Sequence, residues 1–235
     1  MSNRTLPTSN ANNDDFWIPV SDLMALLMLI FLLIAIMYQV RVEIDQQKIK
    51  DVAVIYDELR QELYRDLQKE FESDLNDWGA SIDPDQLVIS FNEPSILFAS
   101  GSFELRPRFE AILSSFFPRY LEILMQEKYR EEIEEIRIEG HTSSVCVGCL
   151  TTEQSYFYNM ELSQKRTLST LKYAISTAAE ESRLEWLLAN VTANGLSFSK
   201  RVMVDGEEDY AASRRVDFRV KIDTEAKIRK IIEIS

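Results

Sequence analysis

Hydrophobic positions are distributed very unevenly along this chain. Every residue from 23 to 37 is apolar, and the stretch reaches back through Phe16, Trp17 and Ile18 and forward to Tyr38. A helix rises 1.5 Å per residue, so roughly 20 such residues cross a ~30 Å hydrocarbon core. Trp17 and Tyr38 stand where interfacial aromatic belts form. The pattern predicts one membrane helix over residues 16–40, after a short tail of residues 1–15. A signal peptide is the competing reading. The run is too long for one, carries Asp14 and Asp15 where basic residues belong, and lacks a small-residue cleavage site before Arg41.

Beyond the span the period changes. Val52, Tyr56, Leu59, Leu63, Leu67, Phe71, Leu75 and Trp78 recur at three- and four-residue steps, with charged and amide residues between them. This is a single apolar stripe on a long helix. Its mean step of about 3.7 residues does not sustain the 3.5-residue repeat of a left-handed coiled coil. Gly79 and Asp83-Pro84 end the element, which is read as a helical linker over residues 41–80. Such a stripe must be covered, either by its own domain or by a second copy, and the homodimer contact is the preferred expectation.

From residue 81 short alternating runs are interleaved with helical ones. Strands are predicted at 87–92, 134–139, 191–196 and 216–222, with helices at 107–129, bent or interrupted at Pro118, and at 155–179. Strands alternating with helices indicate an α/β sandwich with a mixed sheet over residues 81–223, and residues 224–235 form a C-terminal tail.

Composition narrows the chemistry. The chain has 235 residues, of which 28% are charged, and its formal charge of −13 argues against nucleic acid, whose phosphates need Lys and Arg patches. It contains one histidine, His141, and two cysteines, Cys146 and Cys149. No Ser-His-Asp set, metal cluster or phosphate loop can be assembled, so neither an enzyme nor a cofactor is expected.

Asp22 opens the apolar run, shortly after Pro19. A carboxylate facing lipid costs about 2.5–3.5 kcal/mol on insertion scales, so such residues usually face a bundle interior or a watery path. The plainer alternative is that Ser21 and Asp22 cap the helix at the interface. Charge does not orient the span as expected for an exported domain. Arg4 precedes it while Arg41, Lys48 and Lys50 follow, which by the positive-inside rule would leave the larger part in the cytoplasm.

The segment Phe16-Trp17-Ile18-Pro19-Val20-Ser21-Asp22-Leu23-Met24 resembles the start of MotB-type stator subunits, in which an aromatic residue precedes an ion-carrying aspartate and a Met-containing apolar helix. The C-terminal half resembles an OmpA-like peptidoglycan-binding domain in four ordered blocks. These are Ile96-Leu97-Phe98 with Gly101-Ser102, then Gly140-His141-Thr142, then Asn159 with Leu162-Ser163 and Arg166, and last Arg214-Arg215-Val216. The resemblance implies a bacterial inner-membrane protein with a short cytoplasmic N-terminus and a periplasmic domain, opposite to the charge count. It further implies that Asp22 carries H⁺ or Na⁺, and that a dimer of the chain sits inside a ring of a multi-span partner of the ZorA or MotA type.

For peptidoglycan it points to Thr142, Ser143, Asn159, Leu162 and Arg166. Stem peptides present carboxylates, and Arg166 can meet one with a bidentate fork. Positions 159, 162 and 166 are spaced i, i+3 and i+7 and so share one helix face. One departure stands out. The family commonly has Asp after glycine-histidine-threonine, to contact the amino end of the stem, whereas this chain has Ser143 and Ser144. Binding is then expected to weaken or to recruit another acid, Asp217 or Glu161. His141 is read as structural. In a periplasmic setting Cys146 and Cys149 are expected to form a small loop disulfide, since one chain has no second cysteine pair for zinc.

Within the stator class the segments Phe16-Trp17-Ile18 and Tyr158-Asn159-Met160-Glu161-Leu162-Ser163 are similar to the ZorB family of Zorya anti-phage systems. That implies a motor powering anti-phage defence. A flagellar stator subunit and a passive envelope tether are the alternatives.

Overall fold

The structure, a computed structural model, describes residues 14–92, 94–178 and 181–223. The expected C-terminal tail, and all of the N-terminal tail except Asp14 and Asp15, lie outside the described residues. The chain divides into two compact units, Met1–Ala53 and Val54–Ser235.

The first unit contains the N-terminal part of helix α1, which spans Asp14–Phe71 in total. Pro19 falls in its second turn and is tolerated so near the start, where few intrahelical bonds are forfeited. Residues 23–37 are apolar on every face and all exposed in the isolated chain. Among the described residues this is the one helix long and apolar enough to cross a membrane. Asp22 is one of its exposed residues.

The second unit is a five-stranded mixed sheet with helices packed against it. The strands are β1 (Ala80–Asp83), β2 (Val88–Phe91), β3 (Ile133–Gly140), β4 (Val191–Gly195) and β7 (Val216–Ile222), in the order β1-β2-β7-β3-β4. All neighbours are antiparallel except β3 and β4, which are parallel. The parallel pair requires a crossover, made by α6 (Thr152–Ala178) and α7 (Glu181–Asn190). A short helix α2 (Leu75–Trp78) precedes β1, short helices α3 (Pro94–Leu97) and α5 (Glu127–Arg130) flank α4 (Pro107–Leu124), and a two-stranded hairpin, β5 (Met203–Val204) with β6 (Glu207–Glu208), precedes β7.

The apolar stripe on α1 is not free for a second copy along its C-terminal half. Leu63, Leu67 and Phe71 are buried in the core of this unit, together with Trp78 just beyond the helix. The Phe71 ring lies 5.2 Å from Phe116 and 5.9 Å from Trp78. For these positions the preferred dimer contact is corrected: the stripe is covered by its own domain. A hydrophobic face wide enough to bury was already matched by the aromatic face of α4. Helix α4 also runs through Pro118 without interruption. The carbonyl four residues earlier, which Pro118 cannot satisfy, belongs to exposed Ser114.

Helix α6 covers the sheet with small residues. Ser163, Thr167, Thr170 and Ala174 are fully buried along it. A Cβ placed on Gly140, at the end of β3, would come within 2.6 Å of Thr167 Cγ2 and 2.9 Å of the Ser163 carbonyl oxygen. Glycine is therefore dictated there by close helix–strand approach.

Candidate functional site: an arginine-lined cleft

The end of β3 and the segment that follows it form one wall of a cleft of about 530 Å³. The turn is fixed by backbone hydrogen bonds. His141 N–H donates to the Arg215 carbonyl at 3.0 Å, and Thr142 N–H to the Ser197 carbonyl at 2.9 Å. Helix α6 supplies the opposite wall. Thr142, Ser143, Asn159, Leu162 and Arg166 all line this one cleft, so the residues proposed from sequence are brought together by the fold.

Their roles differ. The Asn159 amide nitrogen donates to the Ser155 carbonyl at 3.0 Å and to the Val145 carbonyl at 3.3 Å, tying the loop to α6. Ser155 Oγ donates to the Ser144 carbonyl at 2.8 Å. Glu208 of β6 closes the loop from the other side, accepting from Ser144 N–H at 2.9 Å and Ser144 Oγ at 2.5 Å. Thr142 is 3% exposed, and its Oγ1 has no hydrogen-bond partner among the described residues.

Arg166 is the most informative side chain. Its Nε donates to the Ser102 carbonyl at 2.8 Å and its Nη2 to the Ala99 carbonyl at 3.1 Å, while the guanidinium stacks 4.9 Å over the Phe98 ring. The backbone thus occupies the Nε side of the fork, leaving the Nη1 end for a ligand. Burial pushes the guanidinium down to about 10, with Tyr158 opposing and Arg214 reinforcing the shift. It remains a cation at neutral pH, yet no carboxylate pairs with it among the described residues. Arg106, Arg214 and Arg215 also line the cleft, and among the described residues no Asp or Glu does. On a chain of formal charge −13, such a cationic concavity marks an anion site.

Neither acid expected to replace the missing aspartate is among the residues that line the cleft. Asp217 is buried, with its Oδ2 3.0 Å from Arg215 Nε and 3.0 Å from His141 Nε2. Glu161 is exposed and paired with Lys165 at 2.6 Å. His141 Nε2 lies between Asp217 Oδ2 at 3.0 Å and Glu139 Oε2 at 3.8 Å, the latter beyond hydrogen-bond reach. Glu139, His141 and Asp217 are close enough to suggest a metal triad. Both carboxylates already face arginines, Glu139 Oε1 at 3.0 Å from Arg219 Nε and Asp217 Oδ2 at 3.0 Å from Arg215 Nε, while Asp217 Oδ1 has no hydrogen-bond partner among the described residues. The sulfurs of Cys146 and Cys149 meet at bonding distance, with Cα atoms 5.6 Å apart, and Cys146 borders the cleft. Sequence reasoning did not single out Arg106 or Glu208, and it used Arg214 as a motif landmark without assigning it to the site. The double arginine at 214–215 was the available signal for the last of these.

No family model matches the chain. The Zorya protein ZorB of Escherichia coli is 42% identical over 231 residues, which cover 98% of this chain and 97% of that protein. The chain belongs to the ZorB family. Among solved structures, a MotB-like protein from Desulfovibrio vulgaris is 23% identical with a TM-score of 0.50, covering 70% of this chain and 91% of that one. It shows that this ZorB-family chain shares the fold of a MotB-like protein. The cell wall anchor of the T6SS from Pseudomonas aeruginosa is 21% identical with a TM-score of 0.47, covering 67% and 97% of the two chains.

Proposed function

We propose that this ZorB-family chain is the peptidoglycan-anchored subunit of an ion-driven motor in the bacterial inner membrane, powering Zorya anti-phage defence. The chain crosses once, with its short N-terminal end in the cytoplasm and the α/β domain in the periplasm, where Cys146 and Cys149 stay oxidised. Two copies sit within a ring of a multi-span, ZorA-like partner, because a single span cannot by itself enclose an ion path. Asp22 binds H⁺ or Na⁺ on one side and releases it on the other, while the anchored domain keeps the dimer from turning with the ring.

The observation that carries the anchoring role is Arg166, a half-buried cation at a cleft with no acid among the described residues that line it. A stem-peptide carboxylate placed against its free Nη1 end would complete a charge-assisted pair, with Thr142 Oγ1 as a further donor. Asn159, Ser143 and Leu162 shape the walls around that carboxylate. The ion-carrying role is supported by Asp22 at the head of the apolar helix, together with membership of the ZorB family.

Asp22→Asn tests the motor. The amide keeps the size and hydrogen-bonding capacity of the side chain but cannot carry a proton. In cells carrying the complete system, protection against phage is expected to disappear while expression and partner assembly are unchanged. Asn caps helices about as well as Asp, so full protection by this variant would reduce the chain to a passive tether.

A further inference from the structure

Resting on the anchoring reading, we infer that the cleft selects its ligand by carboxylates alone, and prefers stem-peptide ends whose side-chain amine is already acylated over free zwitterionic ends. Among the described residues that line it, the cleft holds four arginines and no acid. Arg106, Arg166 and Arg214 have no carboxylate partner among the described residues; Arg215 alone has one, Asp217 at 3.0 Å. An ammonium entering here would meet like charge with nothing to offset it, and a partly desolvated site strengthens that repulsion.

Among the described residues, Glu139, Asp217 and Glu208 are each engaged elsewhere. Glu139 is held by Arg219 through contacts of 3.0 and 3.2 Å. Asp217 is held by Arg215 and His141. Glu208 accepts both hydrogen bonds from Ser144 and lies 3.6 Å from Arg201, with its side chain 6% exposed. Glu161 faces solvent beside Lys165. Freeing any of the first three would strand a cation or undo the loop that forms the wall. The residues following Gly140-His141 are instead hydroxyls, and the unpartnered, buried Thr142 Oγ1 can donate to a carboxylate. Acylating the amine removes its charge and leaves every carboxylate of the ligand in place.

The test uses the full chain in detergent and two synthetic stem peptides ending in the same diamino diacid. They differ only in whether the terminal amine is free or acetylated, and both are measured by titration calorimetry. The acetylated peptide is expected to bind about fivefold to tenfold tighter, the scale of one like-charge contact at partial burial. Equal affinity, or tighter binding of the free amine, overturns the inference and leaves the anchoring role intact. Failure of both peptides to bind at millimolar concentration overturns the anchoring role as well, and the inference with it.

Discussion

On the sheet side of Gly140, every buried carboxylate has a cation beside it; on the cleft side, three arginines have no acid among the described residues. The first group is built on β3 and β7, the second on α6, the start of α4 and the segment before β7. Glu139 projects toward Arg219 and Asp217 toward Arg215, with His141 between them, and all three central residues are buried. Arg106, Arg166 and Arg214 line the cleft. Burying a charge costs several kcal/mol unless a partner repays it. The closed cluster repays that cost within the fold. The open cluster leaves the repayment to something that binds. The difference separates side chains that hold the structure from side chains that hold a ligand, although both sets carry the same kinds of charge.

The largest effect should come from breaking the closed cluster. Glu139→Ala strands Arg219, whose side chain is 25% exposed. Removing one partner of a buried pair costs roughly 3–5 kcal/mol, and partial exposure of Arg219 places this case near the lower end. Urea denaturation should register the loss, with no matching change in ligand affinity once the protein is folded. A stability change below about 0.5 kcal/mol would mean the cluster is no more than a solvated surface pair.

The same cluster sets a pH dependence. Burial alone would raise the Glu139 carboxyl, but contacts with His141 and Arg219 outweigh it and hold the group down to about 2, from an ordinary 4.5. Asp217 is likewise lowered, by His141 and Arg215 against the opposing effect of burial. A depressed carboxyl binds its proton more readily in the unfolded chain, so its stabilisation is complete above the unfolded value and is lost as pH falls through the folded one. Stability should therefore decline progressively from about pH 4.5 toward pH 2, and Glu139→Gln should flatten that decline. An equally steep decline in the variant would assign acid sensitivity to other groups.

Much of this arrangement was legible in the sequence, and the exceptions have physical causes. The membrane helix could be read because fifteen consecutive apolar residues, 23–37, admit few other environments. The strands around the site could be read because Ile136 and Ile138 alternate with charged neighbours. The stripe of Leu63, Leu67 and Phe71 could not be assigned a partner, since periodicity gives the width of a buried face and not what covers it. For the same reason Asp217 looked free to serve the ligand. A carboxylate's value depends on which cation the fold brings to it: Arg215 stands two residues before Asp217 on the same side of its strand, but His141 reaches Asp217 only through the pairing of β3 with β7. Glu208 was invisible because a two-residue hairpin strand leaves no hydrophobic alternation.

The open cluster should respond in the opposite way. Arg166→Ala removes a cation that no acid needs, so thermal unfolding should shift only modestly. Its lost hydrogen bonds to Ala99 and Ser102 account for any shift that does occur. Retention on purified peptidoglycan sacculi should fall by the worth of a charge-assisted contact, about 1.5–3 kcal/mol, or roughly tenfold to a hundredfold. Unchanged pelleting of the folded variant would take Arg166 out of the site and leave the cleft without its best-placed cation.

The smallest effect should come from the covalent closure at the cleft's edge. Cys146 and Cys149 are separated by two residues, so pairing them removes little freedom from the unfolded chain. A loop this short is worth about 2 kcal/mol at most in the chain-entropy view. The wall it borders is also held independently, by Asn159, Ser155 and Glu208. Replacing both cysteines with serine should lower stability by no more than that amount and change ligand affinity less than about threefold. A larger loss of affinity would show that the turn, rather than the hydrogen bonds behind it, positions the cleft wall. The pairing also reports on location. Alkylation of protein in intact cells, followed by mass measurement, should find both thiols blocked until reductant is added, because such a bond persists in an oxidising envelope and not in the cytosol. Free thiols would place the domain on the cytoplasmic side, where its arginines could meet no cell wall.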